Sequence, residues 1–305
     1  MSSKRNLATV TEKIHYMKEF IDLEKFVTTG DNDPDSIIAY FKRNHANYRH
    51  VYSKEGTMHF IVSKDGETYS IDDKFYQPDT AISYAQPGAK VLELGSGQCA
   101  NLFHLAKAHP DMEFYGVDLC PVNKKKEELP NVTILERNYS SLPDFPDNTF
   151  DVIYAIETIV HNSKEDKDKI MAEAYRVLKP GGHLIVYDYA TNDLFETYTE
   201  DLQLAMKVTA RGSAAALIES KMEWAEHFSK AGFKEVAVNE LTDRILPDLK
   251  RLQKHFDAVM LHPFRAKIVF RTMPRRYTVN LISGWLAYDS AKEHIGNYCE
   301  WIFQK

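Results

Sequence analysis

Val91–Ala106, VLELGSGQCANLFHLA, passes within one short stretch from an apolar run, through two closely spaced glycines, into a helical pattern. Val91, Leu92 and Leu94 suit a buried strand, and Gly95 and Gly97 permit backbone angles and close ligand approach that a side chain would obstruct. Leu102, Phe103, Leu105 and Ala106 then fall on one face of a helix whose free N-terminal amides point back at the turn. Strand, glycine turn and helix together predict a nucleotide-type pocket.

C-terminal to this unit the alternation continues. EFYGVDL (Glu113–Leu119) reads as a second strand ending in Asp118, where the acid of a βαβ unit is placed to accept from two ribose hydroxyls. NVTILERN is a third strand, with Asn138 and Tyr139 at its end placed to contact a purine ring. TFDVIYAI (Thr149–Ile156) is a fourth and ends at Glu157. Lys169–Leu178 has helical spacing, KPGG (Lys179–Gly182) is expected to terminate that helix, and HLIVYDY follows as a strand. The fold expected is α/β: a doubly wound, Rossmann-like, mainly parallel sheet with helices on both faces.

N-terminal to the unit, residues 1–87 are expected to form a helical and aromatic cap, and residues 88–305 the main domain with a lid insertion around 192–280. Ile14, Met17, Phe20, Ile21, Leu23 and Phe26 fit one or two amphipathic packing helices. Asp31, Asp33 and Asp35 resemble a calcium loop only briefly, because Ser36 and Lys42 stand where such a loop needs glycine and glutamate; Pro34 and the aspartates instead suit the start of a helix over 36–43. Between Tyr40 and Tyr84 tyrosines and histidines are dense, and Gly56 and Gly66 point to loops or short hairpins, forming either an aromatic cap or an ordinary domain face.

Composition narrows the function class. The 305 residues are 44% apolar, with a net charge of −6 and a pI near 6.1, against a general nucleic-acid binder. Three scattered cysteines, Cys99, Cys120 and Cys299, supply neither a disulfide framework nor a metal site, so a reducing cytoplasmic setting is expected. The N-terminus lacks a signal-peptide core and no run approaches the ~20 apolar residues of a membrane span, so a soluble protein is expected. No G-x-x-x-x-G-K-[ST] or G-x-S-x-G pattern occurs, which speaks against triphosphate hydrolysis and a serine nucleophile elbow. The turn lacks a third glycine, leaving NAD, FAD and S-adenosylmethionine open.

Glu93–Gly97, Asp118, FDVIYAIE and YRVLKPGGHLIVYDY together resemble the class I S-adenosylmethionine-dependent methyltransferases, over about residues 88–190. The resemblance implies S-adenosyl-L-methionine as cofactor, with Glu93, Gly95 and Gly97 under its methionine part, Asp118 on the ribose, and Asn138, Tyr139 and Ile156 completing the site. YAIETIVHNSKEDKDKIMAEAYRVLKPGGHLIVYDYATNDLFE more narrowly resembles the sterol C-methyltransferase group. YSKEGTMHF (Tyr52–Phe60) is similar in placement to that group's N-terminal motif, and MEWAEHFSKAGFKEV (Met222–Val236) fits its late helix and strand.

Methyl transfer requires donor and acceptor to be aligned and water excluded. Methylating an alkene leaves a carbocation, which aromatic faces stabilise by ~0.5–2 kcal/mol each and which must then lose a proton. Tyr52, Tyr154, Tyr187 and Tyr189 are the candidate aromatics, with Tyr154 equally suited to the core. Glu157 is the candidate general base or cation stabiliser, alternatively a contact to the cofactor's ammonium or a helix N-terminal acid. His161 lies within reach if the intervening chain makes one helical turn. ETYTEDLQLAMKVTARGSAAALIES suits a lid helix with an exit at Gly212 and Ser213. The basic stretch from Lys250 to Arg276 suits either a diphosphate grip or a solvated helix face. The final NLISGWLAYDSAKEHIGNYCEWIFQK resembles the late strands closing such a sheet, with Tyr298–Phe303 as the last. The expected activity is C-methylation of an isoprenoid double bond in a sterol, terpene or prenyl diphosphate, the alternative being small-molecule O- or N-methylation. The expected partner is a small molecule, and a homo-oligomer is compatible with the chain.

Overall fold

The computed structural model describes residues 5–28, 38–39, 54–120, 129–215, 219–273 and 275–305. Tyr52, the aspartates at 31, 33 and 35 and most of the helix expected over 36–43 lie outside the described residues. Seven strands form one sheet: β1 (Lys90–Leu94), β2 (Glu113–Asp118), β3 (Val132–Glu136), β4 (Phe150–Ile156), β5 (Leu178–Thr191), β6 (Lys234–Glu240) and β7 (Gly296–Gln304). Their order is 3-2-1-4-5-7-6. β7 runs antiparallel between β5 and β6, and the other pairings are parallel. The order reverses between β1 and β4, and at such a switch point the carboxyl ends of the strands leave a crevice for a ligand.

Ten helices are described: α1 (Val10–Lys18), α2 (Leu23–Thr28), α3 (Tyr76–Ile82), α4 (Ala100–Ala108), α5 (Lys164–Val177), α6 (Glu200–Gly212), α7 (Lys221–Ala231), α8 (Thr242–Met260), α9 (Pro263–Thr272) and α10 (Arg275–Lys292). One face of the sheet is covered by α5 and α7, whose Ile170, Ala174, Trp224 and Phe228 pack with Trp301 and Phe303 of β7. The other carries α3, α4 and α8 through Ala81, Leu102, Leu105, Ile245 and Leu249. Both faces are therefore covered over the central strands, as a mainly parallel sheet requires, while the edge strands β3 and β6 stay partly exposed.

A third apolar cluster lies beyond the sheet. Val10, Ile14 and Met17 of α1 meet Leu204 and Val208 of α6 and Ile282, Trp285 and Leu286 of α10. Buried Lys13 pairs with Asp289 and donates to the Trp285 carbonyl at 3.2 Å, fixing α1 on α10. The N-terminal helices thus pack on C-terminal ones, while residues 57–63 and α3 pack on the sheet.

Three expectations need correction. Within the lid expected over 192–280, α7 instead packs on the sheet through buried Trp224 and Phe228, and β6 pairs with β7 as an exposed edge strand of the same sheet. KPGG does not lie outside the strand: it forms a bulge within β5, where Leu178 pairs with Phe150 but His183 already pairs with Val152. Gly181 takes φ +80°, and a Cβ on Gly182 would meet the Asp151 carbonyl at 2.8 Å. In the final segment only Gly296 onward is strand. Residues before it form α10, whose buried Trp285 and Leu286 answer the third cluster.

Candidate active site

The carboxyl ends of β1, β2 and β4 open into a cleft of about 1020 Å³, mouth included. Its floor is the glycine turn. Gly95 (φ +72°) and Gly97 (φ +49°) lie in the left-handed region, and the Gly95 amide donates to the Val117 carbonyl at 2.8 Å. A Cβ on Gly95 would stand 2.1 Å from Thr158 Oγ1, so this glycine lets the turn after β4 close over the turn after β1. Cys99, the N-cap of α4, has φ +61° and makes no side-chain cap, so α4 starts at the cleft without a side-chain acceptor from its cap residue.

Of the residues anticipated from sequence, Glu93, Gly95, Gly97, Asp118, Tyr139, Ile156, Glu157 and His161 line this one cleft. Asp118 Oδ2 accepts from Gly97 N at 2.9 Å and Oδ1 from Cys120 N at 2.7 Å. Burial raises its pKa, while these two amides pull it down. Tyr139 donates to the Thr158 carbonyl at 3.0 Å and accepts from Asn162 at 2.9 Å, which sets its ring into the wall.

Glu93 is buried beneath the turn. Burial pushes its carboxyl up to about 8, against the pull of the Asn101 amide. Asn101 Nδ2 donates to Glu93 Oε1 at 3.0 Å, and no described residue hydrogen-bonds Oε2. Asn101 Oδ1 faces His59 Nε2 at 3.3 Å, while His59 Nδ1 faces the Phe60 carbonyl at 3.1 Å. A carbonyl accepts only, so Nδ1 carries a proton. Burial lowers the His59 pKa and favours the neutral ring. A neutral His59 and a protonated Glu93 are both satisfied when the Asn101 amide turns its NH2 to His59 and its oxygen to Glu93.

Glu157 sits at φ +49° immediately after β4 and is half-buried at the cleft. Its Oε1 accepts from Phe60 N at 2.8 Å. Burial pushes its carboxyl up to about 8, with Asp188 adding repulsion and the Phe60 amide and the Tyr189 and Tyr298 hydroxyls opposing. The rings of Phe60 and Tyr189 meet edge to face at 5.9 Å, and those of Tyr189 and Tyr298 at 5.2 Å. The turn Ile159–His161 is 3-10 and brings His161 to the cleft four residues on, as anticipated. His161 Nδ1 faces the Ala214 carbonyl at 3.0 Å, and burial holds the ring below the usual histidine range. Buried Asp188 anchors this turn, accepting from Val160 N at 3.0 Å.

The structure does not bring every anticipated residue here. Asn138 is exposed and caps its own turn, accepting from Ser140 N at 2.9 Å. Tyr187 lies deeper in β5, fully buried, and donates to Glu300 of β7. Tyr189 supports Glu157 from behind the cleft wall rather than lining it. Tyr154 is a core residue beside Glu93. Tyr52 is outside the described residues.

The sequence reading missed His59, Asn101 and Thr158. His59 lay within the quoted Tyr52–Phe60 segment. Asn101 carries no periodic signal, since its role depends on the turn folding α4 back over β1.

The sheet order, the glycine turn and the acid closing β2 give this domain the layout that the resemblance to class I S-adenosylmethionine-dependent methyltransferases implies. Residues 92–186 match the family model described as "Methyltransferase domain". Among curated relatives, the phosphoethanolamine N-methyltransferase of Plasmodium falciparum is 30% identical over 51% of this chain and 57% of its own. The 24-methylenesterol C-methyltransferase 2 of Arabidopsis thaliana is 25% identical over 73% and 62%, respectively. The chain thus spans little more than half the length of these relatives. Among solved structures, mycolic acid cyclopropane synthase CmaA1, complexed with SAH and CTAB, superposes with a TM-score of 0.70 at 16% identity, covering 88% of this chain and 96% of that one.

The residues present fit S-adenosylmethionine. The turn has no Cβ at Gly95 or Gly97, Glu93 offers a buried carboxyl oxygen without a hydrogen-bond partner among the described residues, and Asp118 lines the cleft beside Gly97. Glu93, Gly95 and Gly97 would hold the methionine part, with Asp118 at the ribose and Tyr139 and Ile156 flanking the base.

Proposed function

We propose that the protein transfers a methyl group from S-adenosylmethionine to a carbon of an isoprenoid double bond, in an acceptor without a phosphate group such as a sterol or terpene. One observation carries this reading: the described residues lining the cleft include the carboxyl groups of Glu93, Asp118 and Glu157 but no lysine or arginine. A phosphate buried here would find no cationic partner among the described residues, whereas an apolar acceptor needs none. The basic stretch that suited a diphosphate grip lies on α8, α9 and the start of α10, and none of its described residues lines the cleft.

Bound in this cleft, the cofactor supplies an electrophilic methyl group on a sulfonium. The chain's own residues do the rest. The buried strap Thr57–Ser63 excludes water from above, tied down by Phe60 N on Glu157 and Ile61 N on Asp248. A cation left on the acceptor carbon would lie beside a carboxyl backed by Phe60, Tyr189 and Tyr298. Glu157 then accepts the proton that leaves as the double bond re-forms. A carboxyl held near 8 is well matched to that task around neutral pH.

N-methylation of an amine is the second reading, favoured by the Plasmodium relative and by the same carboxylates, which suit an ammonium. Incubation with labelled cofactor and a panel of sterols, terpenes, prenyl diphosphates and phosphoethanolamine, followed by mass spectrometry, separates the two. Methyl on carbon of an uncharged isoprenoid is expected. Methyl on the nitrogen of phosphoethanolamine, with none on carbon, overturns the proposal.

A further inference from the structure

Helix α9 carries an apolar face that the fold does not use. Its inward side is Ala266, fully buried, and Phe270, whose ring stacks on Phe20 with centroids 5.9 Å apart. These contacts account for its seat on the third apolar cluster. On the outside, Phe264 is 69% exposed and Ile268, one helical turn further, 45%; Met273, just past the helix, is 46% exposed. Three of the eight exposed large hydrophobics among the described residues therefore fall within Phe264–Met273. Single exposed apolar side chains are ordinary, but a cluster on one short helix is not.

The charges around them have one sign. Arg265, Lys267 and Arg271 are exposed on the same helix, and no acidic residue occurs from Pro263 to Met273, in a chain whose net charge is −6. Protruding apolar side chains flanked by long basic ones match an anionic bilayer: the apolar tips enter the headgroup boundary and the cations meet lipid phosphates and carboxylates. An acidic protein partner would satisfy the charges but would need pockets for Phe264 and Ile268. No helix among the described residues is long and apolar enough to cross a membrane, so contact through this helix would be at the surface.

We propose that the outer face of α9, Phe264, Ile268 and Met273 with Arg265, Lys267 and Arg271, docks the protein on anionic lipid membranes. The inference does not depend on the acceptor's identity. The test is co-sedimentation of the full chain with phosphatidylcholine vesicles, with and without about a third phosphatidylserine, over a range of salt. Binding is expected only to the anionic vesicles and should weaken as salt rises. The double variant Phe264→Ala/Ile268→Ala should weaken it about tenfold or more, with an unchanged melting temperature because both side chains are exposed, and with cofactor binding intact. A charge variant, Arg265→Gln/Lys267→Gln, should remove the preference for phosphatidylserine. Failure of the wild-type protein to bind, equal binding by the variants, or binding to a poly-glutamate peptide but not to vesicles would each overturn the proposal.

Discussion

Glu157 holds a left-handed backbone without being glycine, and its half-buried carboxyl has no cation against it among the described residues. That combination is costly in two ways, in backbone strain and in desolvation, and such costs concentrate at functional positions. Glu157→Gln preserves the shape and an acceptor for Phe60 N but cannot take a proton. Product formation should fall about 100-fold or more while calorimetry shows unchanged cofactor binding; normal turnover would remove Glu157 from the chemistry. Asp118 differs in being held by two backbone amides at the cleft edge. Asp118→Ala deletes charge-assisted contacts to a ribose and leaves Gly97 N without its acceptor, so cofactor affinity should drop about 10–100-fold. An unchanged dissociation constant would sink the ribose assignment. Asp118 and Glu157 were both legible in sequence, because each ends an apolar strand. The His59–Asn101–Glu93 chain was not, because three separate segments meet only after β1, α4 and the strap are in place.

At the level of elements, the turns after β1 and β4 are one device. Gly95 admits Thr158, and the 3-10 turn after β4 presents Glu157 and His161 to the same cleft. Gly95→Ala places a methyl group within 2.1 Å of Thr158 Oγ1 at a φ of +72°, so a loss of about 2 kcal/mol or more in stability is expected, together with weakened cofactor binding. Denaturant titration measures the first effect and calorimetry the second. The β5–β7 pair shows the opposite case, where a residue of the expected type serves the sheet. Tyr187 lies two residues before Tyr189 on β5, a step deeper beneath α3, and its hydroxyl meets Glu300, which also accepts from Asn239 at 2.7 Å. Tyr187→Phe should cost about 1–3 kcal/mol of stability and leave turnover unchanged. A fall in turnover at constant cofactor affinity would restore Tyr187 to the catalytic set.

For the molecule as a whole, buried carboxyls set a pH dependence of stability. Glu93 and Glu157 have folded pKa values of about 8, above their ordinary value of 4.5. Between these limits the folded state binds more protons than the unfolded one, so stability falls as pH rises through that window and levels off above it. Glu219 acts oppositely: hydrogen bonds from His227 and Lys167 outweigh burial and hold its carboxyl down to about 2, so its contribution is lost as pH falls from 4.5 through 2. Without cofactor, the melting temperature should therefore decline from about pH 5 to pH 8. Glu93→Gln should flatten that decline, recovering up to about 5 kcal/mol near pH 8, and an unchanged slope would show that Glu93 ionises freely in the folded protein.

The sequence by itself determined the doubly wound sheet, its glycine turn, Asp118 and the position of Glu157. Each of these is written in local periodicity: apolar strands, a helix after paired glycines, and acids at strand ends. Only the tertiary structure decided which tyrosines face the cleft, that KPGG bulges within β5, that α7 packs on the sheet and β6 joins it as an edge strand, and that α1 packs on α10. Those outcomes depend on contacts between residues far apart in the chain, such as Lys13 with Asp289 and Phe60 with Glu157. Pairing across such separations is chosen by shape and by the need to satisfy buried polar groups, and periodicity carries no record of it.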